Sequence, residues 1–172
     1  EKIGDKNSNI NREFLAEIKS HLYDSVYAVF EKDYFSLIIK NPPAVHEIMS
    51  SIITCRKFSD YSIFFANDDI GFLDLDLIVR SIIGCCYSYK RTDNEEIRLE
   101  LGIKNCLIRL LNSSTVDVDK LDYIARDTQM SGYDSIVLDN KRLLDNVCIV
   151  NNDGIYYPAF RKGALSVLSN VV

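Results

Sequence analysis

The sequence predicts a mainly α fold, a bundle of six or seven helices with a small β-hairpin near Cys148 to Tyr157. Three observations carry this expectation. Apolar residues recur at three- and four-residue spacing over most of the 172 residues, the signature of amphipathic helices. Clusters of Asn, Pro, Gly and Ser cut the pattern into helix-length pieces. Only Cys148-Ile149-Val150 and Ile155-Tyr156-Tyr157, joined by Asn151-Asn152-Asp153-Gly154, read as β-prone runs around a turn that tolerates positive φ.

The elements follow in order. The first ten residues are polar and expected to fray, with Ser8-Asn9 or Asn9-Ile10-Asn11 capping a helix that starts near Arg12. Phe14, Leu15, Ile18, Leu22, Val26 and Val29 form its stripe. The apolar run Tyr34 to Ile39 ends at Asn41-Pro42-Pro43, where prolines stop one helix and can start the next. A second helix spans Ala44 to Phe58, with Val45, Ile48, Met49, Ile52, Ile53 and Cys55 inward. Ser59 to Gly71 reads as a short helix or a packed loop, and Asp74 to Tyr87 as a helix with Leu75, Ile78, Val79, Ile82, Ile83 and Cys86 inward. After the break at Lys90 to Asn94 comes a helix from Glu95 to Leu111, acidic in its first turn, where the macrodipole favours anions. Gly102 costs that helix about 1 kcal/mol relative to Ala, which a close approach by a neighbouring helix would explain. Val116 to Gly132, a helix from about Asn140 to Val147, the hairpin and a helix from Gly163 to Val172 complete the chain.

Composition fits one globular domain spanning 1–172, with 47% hydrophobic residues, 26% charged residues and a net charge of −5. A chain of this length builds a core without metal or disulfide staples. The acidic balance, 25 Asp+Glu against 20 Lys+Arg, argues against a nucleic-acid partner, because phosphate-backbone affinity needs clustered cations. There is no apolar run of the roughly 18 residues that span a bilayer and no apolar signal region at Glu1 to Asn7, so the expectation is no membrane partner and a cytoplasmic location. Cys55, Cys85, Cys86, Cys106 and Cys148 are odd in number without a CxxC pair, and read as reduced structural thiols.

The stretch that carries chemistry is Val116 to Gly132. On a helix beginning near Val118, Asp119, Tyr123 and Asp127 stand at i, i+4 and i+8 and share a face, beside Lys120, while Leu121, Ile124 and Ala125 anchor the opposite face. Two readings stay open on the residues alone: a solvated face laced with ion pairs, or a site that holds a metal, orients a sugar hydroxyl and neutralises a phosphate through Lys120 and Arg126. Asp117 and Asp122 read as capping or surface carboxylates, and Arg126 equally as their counter-ion. His46, with Glu47 at the start of its helix, reads on its own as a cap or a satisfied polar residue.

Asp117-Val118-Asp119-Lys120-Leu121-Asp122-Tyr123-Ile124-Ala125-Arg126-Asp127, leading to Ser131-Gly132, closely resembles the fourth-ligand helix of HD-domain metal-dependent phosphohydrolases. Within that superfamily it is similar to the deoxynucleoside triphosphate triphosphohydrolases and the SAM-and-HD-domain proteins. Flanking segments agree: His46-Glu47 with Ser50 resembles the family's His-Glu helix, Leu75 to Gly84 the helix before the substrate-facing loop, and Cys106 to Ser114 the run into the metal Asp. The resemblance covers about His46 to Val150.

It implies an HD-domain-like helical bundle, present in part, and a set of roles. Asp119 would complete the metal site, Lys120 contact a substrate phosphate, Tyr123 pack under or hydrogen-bond the sugar, and Asp127 bind the 3′-hydroxyl region. His46 would sit near the scissile phosphate as proton donor or phosphate ligand, with Glu47 supporting it. The cofactor implied is a divalent metal (Mn²⁺, Mg²⁺ or Fe²⁺), the substrate a deoxynucleoside triphosphate split into nucleoside and triphosphate, and the assembly a homo-oligomer. The family's remaining ligands, an upstream His and an adjacent His-Asp pair, are absent: the only histidines are His21 and His46, and neither precedes Asp. The expectation is therefore the C-terminal part of such a domain, inactive alone; the alternative is a degenerate scaffold that binds a nucleotide or a protein without catalysis.

Overall fold

Helix α1, Lys2–His21, opens the computed structural model, which describes residues 2–65, 74–89, 93–112, 118–131 and 139–169. The helix begins ten residues before the expected start near Arg12. No proline interrupts Lys2 to Asn11, and a nucleated helix gains one hydrogen bond for each residue it adds. Asn11, an expected cap, is instead interior to the helix and accepts the Tyr34 hydroxyl at 2.8 Å. The chain folds as two compact units, Glu1–Tyr87 and Ser88–Val172. Among the described residues it is mainly helical, with one two-stranded antiparallel sheet, as the sequence predicts; no described helix is long and apolar enough to cross a membrane.

In the first unit, the stripe expected to run unbroken through Val29 is interrupted after His21. Tyr23 is extended (φ −62°, ψ 144°) and α2 runs Asp24–Lys40. The reversal folds α2 back so that Phe14 meets Tyr34 with ring centroids 5.1 Å apart and Phe30 at 6.0 Å. Helix α3, Val45–Phe65, is longer than the expected Ala44 to Phe58 and absorbs most of the segment left open as helix or loop. Its buried face carries Ile48, Ser51, Ile52 and Cys55, whereas Val45, Met49 and Ile53, expected inward, are exposed. One face of a single helix can meet the core, and 48, 52 and 55 occupy it.

Helix α4 spans Leu75–Ile83, capped by Asp74, whose carboxylate accepts from Leu77 N–H at 3.1 Å. It stops short of the expected Tyr87 because Gly84 takes a left-handed φ of 69°, the conformation that favours glycine at a helix end. The chain then turns back, and Cys85 and Tyr87 pack into the same core.

There the side chain of Arg80, fully buried, lies 2.9 Å from Asp76 Oδ1 through Nε and 3.0 Å from Asp33 Oδ2 on α2 through Nη1. Tyr87 Oη donates to the other Asp76 oxygen at 2.8 Å. The guanidinium is also stacked against the rings of Tyr87 (4.0 Å) and Phe30 (5.2 Å). Nη2 has no hydrogen-bond partner among the described residues, and the aromatic faces are the electrostatic contact it has in place of one. Burial works against the charge, and the Asp76 and Asp33 carboxylates outweigh it.

The second unit is built on α5, Glu95–Leu111, capped by Asn94, whose side-chain Oδ1 accepts from Glu96 and Ile97 N–H. Strands β1, Val147–Asn152, and β2, Ile155–Phe160, pair in the register Val147 with Phe160 through Asn152 with Ile155. The turn between them uses positive φ at Asp153 (51°) and Gly154 (78°), the geometry that matches strand twist. Strand β2 packs on α5. A Cβ at Gly102 would collide with the Tyr156 ring, so the close neighbour that this glycine admits is a strand residue and not a helix. Arg109 Nη1 donates to Tyr156 O at 2.7 Å and lies over the Tyr157 ring at 4.7 Å. Helix α6 is Val118–Ser131, and α7 is Asn140–Asp145, ending where β1 begins. The helix expected from Gly163 to Val172 is a 3-10 turn at Lys162–Ala164 followed by α8, Leu165–Leu168, with 170–172 outside the described residues. Leu143, Ala164 and Val167 form a second core, against which Leu121 of α6 and Phe160 pack.

Two predictions follow from the Arg80 cluster. Arg80→Met strands Asp33 and Asp76 without their cation, so urea unfolding should show a loss of about 3–5 kcal/mol; a loss below about 1 kcal/mol contradicts the account. Burial pushes the Cys85 thiol from 9.0 and the Tyr34 phenol from 10.0 each up to about 12, and also raises Tyr87, beside Asp76. The folded state holds these protons more tightly, so their contribution is complete below about pH 9 and is lost as pH rises toward 12. Unfolding free energy measured across that range should fall steadily, and a flat profile contradicts the burial.

Candidate functional site

Helix α6 starts after the polar Asn112 to Thr115 run and ends at Ser131, and its orientation in the second unit is fixed by Leu121, which packs on the Leu143, Ala164 and Val167 core. With Leu121 inward, Tyr123 and Asp127 are both exposed, one turn apart. Asp119 and Lys120 lie on the backbone of the same helix; their side chains, with Ala125 and all of Asp117, are outside the described residues. From Asp119 to Asp127 the helix rises about 12 Å at 1.5 Å per residue. One ion cannot bridge that span; an extended ligand can, with a different group of it on each turn.

Asp122 and Arg126 settle as a pair. Arg126 Nη2 lies 2.7 Å from Asp122 Oδ2, both well exposed. Such a surface pair contributes little to stability, and it gives Arg126 the counter-ion role.

His46 and Glu47 belong to the first unit and the α6 residues to the second. His46 is the second residue of α3 and is exposed. Glu47 Oε2 accepts the Ala44 N–H at 2.6 Å, the reach-back of a carboxylate at the third helical position to the N-cap. Ala44 has no side-chain oxygen to complete the reciprocal half, so Glu47 is the cap that starts α3 directly after Pro42-Pro43. His21, which the sequence ties to no site, has Nδ1 2.9 Å from Glu17 O and from Ser20 Oγ.

Among the described residues no group of three or more His, Cys, Asp or Glu side chains could hold a metal ion. The described donors therefore do not fit a divalent metal on their own. All five cysteines are free thiols, with burial pushing Cys55 up to about 11 and Cys85 up to about 12, which keeps both protonated and poor nucleophiles at neutral pH.

The feature that sequence reasoning missed is the Asp33, Asp76, Arg80 and Tyr87 cluster. Its one local signal was Asp76 and Arg80 at i, i+4 within an otherwise apolar helix, where charges are costly unless paired. No protein-family model matches the chain, and no curated protein or solved structure matches it.

Proposed function

We propose that the chain is the C-terminal part of an HD-type metal-dependent phosphohydrolase domain that splits a deoxynucleoside triphosphate into nucleoside and triphosphate. What supports the reading is the order of residues from Asp117 to Asp127, borne on a helix whose Tyr123 and Asp127 face outward while Leu121 is packed. In this reading Lys120 holds its ammonium against a substrate phosphate, where a fixed cation spreads the charge that develops at the attacked group. Tyr123, a turn on, lies under the sugar or hydrogen-bonds it, and Asp127 accepts from the 3′-hydroxyl. The spacing of these positions along α6 then orders phosphate, sugar and 3′-hydroxyl along the helix.

Asp119 would be one carboxylate ligand of a divalent ion, Mn²⁺, Mg²⁺ or Fe²⁺, which would supply Lewis acidity when bound. The resemblance also assigns His46, in the first unit, a role as proton donor or phosphate ligand, with Glu47 as its support; Glu47 holds the first turn of α3 through the Ala44 N–H.

A second reading, a degenerate scaffold that binds a nucleotide without hydrolysing it, is favoured by one observation: the sequence has no His-Asp pair. The two separate in a polypeptide that carries the whole domain. There Asp119→Ala should abolish metal-dependent release of triphosphate, by 10²-fold or more, and Lys120→Ala should weaken turnover of triphosphates. Unchanged turnover after Asp119→Ala overturns the hydrolase assignment, and nucleotide binding without turnover in the unaltered polypeptide supports the scaffold.

A further inference from the structure

The hairpin has two edges with different fates. Its two-residue turn, Asp153-Gly154, makes Asn152 and Ile155 a hydrogen-bonded pair, and such pairs alternate along an antiparallel ladder. Val150 with Tyr157 and Cys148 with Ala159 are hydrogen-bonded in turn, and the Arg161 N–H continues the series to Asn146 O at 2.9 Å. The residues between these pairs turn their N–H and C=O groups outward. On β2 they are Tyr156, Pro158 and Phe160. Pro158 has no N–H to offer, and Tyr156 O already accepts from Arg109, so that edge is closed to a further strand.

On β1 they are Val147, Ile149 and Asn151. Among the described residues nothing bonds these outward backbone groups, and the Ile149 and Val150 side chains are 49% and 46% exposed. From Val147 to Asn152 the strand has no charge and no proline, and its register is unbroken by a bulge. These are the devices with which natural sheets close an edge, and β1 carries none of them. Donors and acceptors that alternate at two-residue spacing are matched in full by another extended backbone.

We infer that the β1 edge takes an extended segment of another protein as a third strand, antiparallel, the more stable pairing per residue. Cross-strand pairing states the chemistry of that segment: β-branched apolar residues opposite Val147 and Ile149, and an uncharged polar residue opposite Asn151. A second copy of β1 is a poorer match, since the register that pairs the most residues of two copies sets Asn151 against Val147 at both ends. A contact of so few residues is in the range of weak and reversible association.

Nuclear magnetic resonance of the isotope-labelled 172-residue chain, titrated to millimolar concentration with the peptide acetyl-Thr-Val-Ile-Thr-Val-amide, tests this. In the chain alone the amide protons of Val147, Ile149 and Asn151 should exchange fast with solvent, and those of Cys148, Val150 and Asn152 slowly. The peptide should give saturable shifts along β1 and slow the first three at least about tenfold near saturation. N-methylation of the peptide's Ile, whose N–H faces β1, should abolish the effect, whereas N-methylation of its first Val, whose N–H faces away, should preserve it. Ile149→Pro removes an outward donor at a position facing Pro158 that makes no bond to β2. It should weaken binding at least tenfold, about 1.4 kcal/mol, with unchanged far-UV circular dichroism. Ile149→Lys should weaken it too while leaving every backbone group in place. No saturable shift at millimolar peptide overturns the inference. So do shifts away from β1, indifference to which peptide nitrogen is methylated, or binding that survives both variants. Slow exchange of Val147, Ile149 and Asn151 in the chain alone also overturns it, and dependence of that slowing on protein concentration would identify the occupant as a second copy.

Discussion

A guanidinium with no solvent access has to be neutralised where it lies, and in the first unit that requirement organises three segments at once. Arg80 projects from α4 into a core of Phe14, Phe30, Tyr34 and Val79. It is tolerated there because α2 delivers Asp33, α4 delivers Asp76 one turn earlier, and the chain after Gly84 returns to deliver Tyr87 to the second oxygen of Asp76. Charge-assisted bonds of this kind are sensitive to direction as well as distance. The cluster therefore fixes the α2–α4 packing and the path of Cys85 to Tyr87 more tightly than aliphatic contacts alone would, since apolar side chains tolerate small slides that directional ion pairs to two separate carboxylates do not.

The second unit rests on a different device, close approach. Strand β2 seats Tyr156 where any side chain at Gly102 would stand, and Arg109 ties the same strand to α5 by a hydrogen bond and a ring contact. Arg98 lies near the other end of the hairpin, against Gly154. With the hairpin so held, Phe160 at its far end joins Leu143, Ala164 and Val167 in the small core that receives Leu121. The outward position of Tyr123 and Asp127 is thus set through α5, the hairpin and Leu121 in turn. The same packing consumes one face of α5 and leaves the Leu99, Ile103, Leu107 and Leu111 ridge on the other.

Local signals were legible in the sequence where a local cause fixes the structure. The hairpin was read from turn chemistry and β-propensity, with the turn itself tightened to Asp153-Gly154 because Asn151 and Asn152 pair in β1, and the break at Lys90 to Asn94 with the acidic turn after it located the start of α5. Gly84 was equally legible in principle: a glycine after an apolar helical run is the usual stop, but the apolar Cys85 and Cys86 beyond it mask the end. What could not be read was anything set by partners distant in the chain. The break at Tyr23 exists because Phe30 and Tyr34 return to Phe14, and the inward face of α3 was assigned too broadly because Val45, Met49 and Ile53 are as apolar as the residues that won the core. For the candidate site, spacing placed Asp119, Tyr123 and Asp127 on one helix, which α6 bears out in its backbone; their chemistry comes from the order of residues, which geometry alone does not encode.

The central claim is that the outward face of α6 recognises a deoxynucleoside triphosphate. Amide chemical shifts of the isotope-labelled chain, followed by nuclear magnetic resonance while dATP is added to millimolar concentration, test it most directly. The account predicts saturable shifts confined to α6 around Lys120, Tyr123 and Asp127, lost in a Lys120→Ala and Asp127→Ala double variant. Shifts that leave α6 untouched, or that persist unchanged in the double variant, would contradict it.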